Sequence, residues 1–132
     1  MALKITLKPN ERMIIGRAVI RNGDTKCNLI IENSVPILRE KDIIGEKQAD
    51  SPARRIYYII QLMYIDQEKS HQYHKTYWSL VHDFVKAAPS VTGTIDKISE
   101  HIINNRYYQA LKLTKKLVKY EQELLTQFLN ET

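Results

Sequence analysis

The stretch ADSPARRIYYIIQLMY, Ala49 to Tyr64, is where the chain changes from strand-like to helix-like patterning. Asp50 or Ser51 offers an N-cap oxygen, and Pro52 falls in the first turn, where a missing N–H removes a donor that had no intrahelical partner. The spacing predicts a helix over about residues 52–65, with Ile56, Ile59, Ile60 and Met63 along one face. Tyr57, Tyr58, Leu62 and Tyr64 cover most of the remaining surface, so the helix is apolar nearly all round and belongs at the centre of a core. The apolar run from Ile56 to Ile65 contains Gln61 and falls far short of the roughly 20 residues that span a bilayer. No membrane association is expected.

Upstream, residues alternate with the two-residue period of strands, as in LKITLK, where Leu3, Ile5 and Leu7 oppose Lys4, Thr6 and Lys8. Strands are predicted at about 3–8, 12–21, 26–33 and 35–39, with Gly16 as a bulge or bend in the second. Pro9-Asn10 and Asn22-Gly23-Asp24 are turn signals, the latter with the chemistry of a tight hairpin. Downstream, Tyr73, Tyr77, Leu80 and Phe84 mark a helix over about 68–87 that stops before Pro89, and PSVTG reads as a linker. Ile95, Ile98 and Ile102 mark a third helix, closed by a left-handed turn at Asn104-Asn105, and a last helix follows over about 106–129. The predicted class is α+β: a small N-terminal antiparallel β-sheet in residues 1–45, then a helical subdomain of about four helices in residues 46–132.

A chain of 132 residues with 43% hydrophobic and 27% charged side chains suits one compact domain or two small subdomains, and excludes a disordered or fibrous protein. The net charge of +5 favours an acidic partner. The excess lies early: Lys4, Lys8, Arg12, Arg17, Arg21 and Lys26 stand against Glu11 and Asp24 in the first 31 residues. A lone cysteine, Cys27, and the lack of a secretory leader pattern point to a cytoplasmic location.

Catalytic and metal chemistry find little support. His71 and His74 share a helix face, but His82 and Asp83 lie too far along to converge on the same ion, and surface histidines are the simpler reading. There is no Gly-x-Ser-x-Gly motif and no glycine-rich phosphate loop among only four glycines, and Glu40 with Asp42 sits in a charged exit loop. A non-enzymatic protein needing no cofactor or metal is expected.

Basic surfaces carry more information. Lys4, Thr6 and Lys8 fall on one side of the first strand, which is either a solvated face or a surface for phosphates, since lysines two residues apart stand roughly 7 Å from each other. In the last helix Lys112, Lys115, Lys116 and Lys119 share a sector with Tyr108, opposite Ala110, Leu113, Leu117, Tyr120 and Leu124. Such a patch can stack on bases and bind phosphates, or simply face water. A further stripe, Leu111, Val118 and Leu125, set off by Thr114 and Glu121, predicts two packing neighbours for this helix: one within the chain, the other a second copy or a protein partner.

Together LKITLKPNERMIIGRAVIRNG, IENSVPILREKDI, ADSPARRIYYIIQLMYID and YYQALKLTKKLVKYE resemble the FlbT family of flagellum-biosynthesis repressors, in that family's order and spacing, from about Leu3 to Leu125. The resemblance implies a post-transcriptional regulator that associates with the 5′ untranslated region of flagellin messenger RNA and lowers its translation or stability. Some members are assigned activating roles, so the sign of regulation does not transfer. An alternative partner is flagellin or a flagellar chaperone or regulatory protein, engaged through helical apolar surface, with the message affected only indirectly.

The strand segments are also similar to the carbon storage regulator CsrA: NERMIIGRAV to its Gly-Glu-x-x-x-Ile-Gly stretch, and VPILREKDI to its segment ending in His-Arg-Glu-Glu-Ile. In that family the arginine before the acidic pair contacts RNA beside the first strand, which implies Arg39 with Thr6 and Lys8 here. Leu7 replaces a first-strand arginine of CsrA, Leu38 its histidine and Asn10 its glycine. The expected RNA contacts are therefore Lys4, Thr6, Lys8 and Arg39, supported by Arg12 and Arg17, with Tyr108, Lys112, Lys115, Lys116 and Lys119 as a secondary patch. Arg39 would grip a phosphate with its planar fork or stack on an unpaired base, the alternative being a salt bridge to Glu40, Asp42 or Glu32.

Overall fold

The computed structural model describes residues 2–131 and separates two compact units, one ending at Ile43 and one beginning at Ile44. The first holds β1 (Leu3–Leu7), β2 (Arg12–Ile15), β3 (Ala18–Arg21), β4 (Cys27–Ile31) and β5 (Ile37–Arg39). These form two antiparallel sheets: β1 pairs with β4, and β2 lies between β3 and β5. Alternation turns Ile5 and Leu7 inward to meet Met13, and Ile15, Ile20, Cys27, Leu29, Ile31 and Ile37 pack around them. Lys4, Thr6, Asn28 and Ile30 are left on the exposed face of β1 and β4.

Two expectations are corrected here. The segment 12–21 is not one strand with a bulge; it folds back at Gly16-Arg17 into the β2–β3 hairpin, with Ile15 opposite Ala18 and Gly16 at φ +59°. A two-residue hairpin loop needs that left-handed backbone, which glycine alone adopts without cost. Asn22-Gly23-Asp24 does not close a hairpin either, because β4 leaves for the other sheet. The Asn22 amide instead ties the loop together, donating to Lys8 O at 2.8 Å and Thr25 O at 2.9 Å.

The second unit holds α1 (Pro52–Ile65), α2 (Ser70–Ala87), α3 (Thr92–Ile103) and α4 (Tyr107–Glu131). α1 packs against both α2 and α4, and α3 packs against α4. Ile56, Ile60 and Met63 are fully buried, as the all-round apolar pattern of α1 requires. Its first turn is capped by Ser51 Oγ, which accepts from Arg54 N at 3.3 Å, and by Glu121 of α4, which accepts from Ala53 N at 2.8 Å. Gln61, also buried, both accepts from Ile44 N and donates to Ile44 O, each at 3.0 Å.

PSVTG is a tight corner, not a linker: Pro89–Val91 makes a single 3-10 turn, Val91 is buried and Thr92 opens α3. The α3–α4 connection has Asn105 at φ +59°, the left-handed turn expected. The first half of α4 buries Tyr107, Ala110, Leu111, Thr114 and Leu117 against α1 and α3 of the same chain, while Leu124 and Leu125 of the predicted stripes lie exposed further along. Among the described residues no helix is long and apolar enough to cross a membrane.

Candidate nucleic-acid interface

Arg39 ends β5 opposite Met13, so its side chain leaves the strand on the core face, at the rim where the two sheets open. The guanidinium turns across the gap: Nη2 donates to Thr6 O of β1 at 3.0 Å and pairs with Glu11 Oε2 at 3.2 Å. Glu11 Oε1 in turn accepts the Lys8 backbone N–H at 2.9 Å. That backbone bond first, then the Arg39 hydrogen bond, holds the Glu11 carboxyl below the usual carboxylate range, so it is ionised at neutral pH. The salt-bridge alternative is thus realised with a carboxylate outside the expected set, Glu11.

Around this pair lies a depression of about 790 Å³ lined by Thr6, Lys8, Pro9, Asn10, Glu11, Lys26, Arg39, Glu40 and Lys41. Four cations there face two carboxylates. Asn10, at φ +63°, makes the turn that leads from Lys8 past Glu11 into β2. Thr6 is half of a cross-strand bond, donating from Oγ1 to Asn28 Oδ1 at 2.8 Å.

Of the residues expected to contact RNA, the fold brings Thr6, Lys8 and Arg39 together. Lys4 shares Thr6's exposed face two residues up the strand, whereas Lys8 lies just past the end of β1. Arg12 and Arg17 are not drawn in: Arg12 pairs with Arg21 on the face of its sheet away from Met13 and Arg39, and Arg17 sits in the β2–β3 turn. Sequence reading missed Glu11, Lys26 and Lys41. Lys41 was discoverable from its place two residues after Arg39 and Glu11 from its place three residues after Lys8; Lys26 reaches the site only through tertiary structure.

The secondary patch on α4 is partly occupied by its own side chains. Lys112 Nζ stands 4.9 Å from the Tyr108 ring centroid, and Tyr64 of α1 packs at 6.1 Å from the same ring. Lys115, Lys116 and Lys119 are exposed beside it. His74 Nε2 lies 3.1 Å from Tyr107 Oη, and among the described residues no group of three His, Cys, Asp or Glu side chains is placed to hold a metal ion.

No solved structure matches the chain. Curated relatives do. The chain is 46% identical over 129 residues to the "Probable flagellum biosynthesis repressor protein FlbT 1" of Bradyrhizobium diazoefficiens, covering 97% of this chain and 88% of that one. It is 40% identical to the FlbT protein of Rhodopseudomonas palustris strain TIE-1, covering 96% of this chain and 99% of the relative. It is 36% identical to the "Flagellum biosynthesis repressor protein FlbT" of Caulobacter vibrioides strain CB 15, covering 95% and 90%. The model of the family described as "Flagellar protein FlbT" matches residues 3–125. Sequence, length and matched span agree, and the chain belongs to the FlbT family, a family of flagellar regulators and not of enzymes.

Proposed function

We propose that this protein represses flagellum biosynthesis after transcription, by binding the 5′ untranslated region of flagellin messenger RNA with its sheet unit. The relatives' names supply the repressor role. The observation that carries the RNA reading is the cationic depression, where Lys8, Lys26, Lys41 and Arg39 surround an open space beside the exposed face of β1. Bound protein blocks ribosome entry or leaves the message open to nucleases, and neither effect needs a cofactor. The setting is the cytoplasm, where the message is made and read.

A second reading has a surface of its own. Between α2 and α3 runs an apolar groove of about 730 Å³ with Trp78 and Ile103, 43% and 65% exposed, along it. In that reading the protein is an adaptor that holds flagellin or a flagellar regulatory protein there. Salt separates the two, since each phosphate neutralised on a single strand contributes about −0.7 to the slope of log K against log salt. Filter binding of a flagellin leader RNA should show such a slope, flattened by the double change Lys4→Gln and Lys8→Gln. An unchanged slope moves the site off β1. Protein that ignores the RNA in dilute buffer yet holds flagellin tightly favours the adaptor.

A further inference from the structure

Arg39 carries five N–H donors arranged along two bidentate edges, one formed by Nε with Nη2 and the other by Nη1 with Nη2. Nη2 belongs to both edges. It already donates to Thr6 O at 3.0 Å and to Glu11 Oε2 at 3.2 Å. Neither fork is therefore open to a phosphate unless the arginine abandons a strand carbonyl or a carboxylate. Leaving Glu11 would also place that negative charge, 3.2 Å away, beside the incoming anion. The side chain nonetheless remains 40% exposed, and Glu11 only 14%. With Nη2 engaged and the side chain still partly exposed, the mode of contact that needs neither fork is stacking on the guanidinium plane, with Nε and Nη1 left as single donors.

We infer that Glu11 decides what Arg39 recognises, fixing the guanidinium as a platform on which one unpaired RNA base stacks. This rests on the RNA reading above and specifies the mode of contact at the same site. Phosphate neutralisation falls to Lys8, Lys26 and Lys41, which line the same depression. A stacked base keeps both Nη2 bonds intact, and a planar cation held rigid by an ion pair is a good stacking partner because no ordering of a long side chain is left to do. Glu11 is a positioning residue here: it touches Arg39, not the base.

The full-length protein and a flagellin leader RNA test this by filter binding over a salt series. Arg39→Lys keeps the charge and loses the plane; it should weaken binding about tenfold or more while leaving the salt slope unchanged. Glu11→Gln still accepts the Lys8 N–H through its amide oxygen but frees the guanidinium, and should steepen the slope by about 0.7 as a new phosphate contact forms. With the unaltered protein, an abasic residue introduced at each leader position in turn should cost about tenfold at one position, and there the Arg39→Lys penalty should vanish. Full affinity in Arg39→Lys, or an abasic series with no sensitive position, overturns the stacking platform while leaving RNA binding intact. Unaltered protein that retains no RNA at any salt overturns the RNA reading itself, and the platform with it.

Discussion

The Tyr77 ring is wholly buried, and its hydroxyl lies 2.8 Å from Ser99 Oγ in the neighbouring helix. Burial, only partly offset by the Ser99 bond, pushes its pKa up to about 12. The pair should be worth most when one member is removed. Tyr77→Phe strands the Ser99 hydroxyl in an apolar setting, and urea unfolding should show a loss of about 1 to 3 kcal/mol, part of it recovered in the double variant with Ser99→Ala. Side chains like these mark what single residues reveal in advance. The helical spacing of Tyr77 pointed inward correctly, but nothing in it announced a partner 22 residues away. Gly16 was visible as an irregularity and misjudged in kind, because Ile14-Ile15 and Ala18-Val19-Ile20 continue an apolar run on both sides of a turn that carries only one turn residue. Glu11 escaped altogether: the arginine it holds is 28 positions distant.

Among the elements, α1 was readable almost to the residue, because Ser51 and Pro52 place its start locally and the apolar run sets its length. Its second cap, from Glu121, comes 68 residues later and has no local signature. Gln61 looked like a flaw in an apolar helix; it serves as a backbone mimic, satisfying both polar groups of Ile44. Gln61→Leu removes both bonds at once while preserving bulk, so thermal or urea unfolding should register a loss of about 2 kcal/mol or more from the stranded N–H and C=O. Thr114 misled in the opposite direction. Its hydroxyl donates to Ala110 O at 2.7 Å, which hides the only polar atom and lets a threonine sit at the centre of the α4 stripe.

For the molecule as a whole, proton binding gives a test that no single contact provides. Tyr107 Oη donates to Asn105 Oδ1 at 3.2 Å and lies 3.1 Å from His74 Nε2. Burial, and then the neighbouring His71, lowers the His74 pKa below the ordinary histidine value. The unfolded chain therefore takes up a proton at a higher pH than the folded one, and stability present above the ordinary histidine pKa is lost as pH falls through that range. Glu11, with its depressed pKa, adds a second loss further into acid, when protonation removes the charge that pairs with Arg39 and strengthens the Lys8 N–H bond. Urea midpoints measured from neutral to mildly acidic pH should fall, and His74→Gln should remove the first part of that fall. At this scale the change from strands to helices was plain in the sequence, since it needs only hydrophobic period and caps. The division of five strands between two sheets was not, because pairing partners are set by loops whose contacts are long-range, and the biological role came from family likeness and not from spacing.

Asn22 sends its amide to the carbonyls of Lys8 and Thr25, fastening together the two segments that carry Lys8 and Lys26. The main chain beneath half of the positive charge is thereby set before any polyanion arrives. In the proposed RNA complex, association would then freeze little beyond the lysine rotamers, so the entropic cost of capture would stay low, and the encounter would be docking onto a finished mould more than the folding of a loop around its guest.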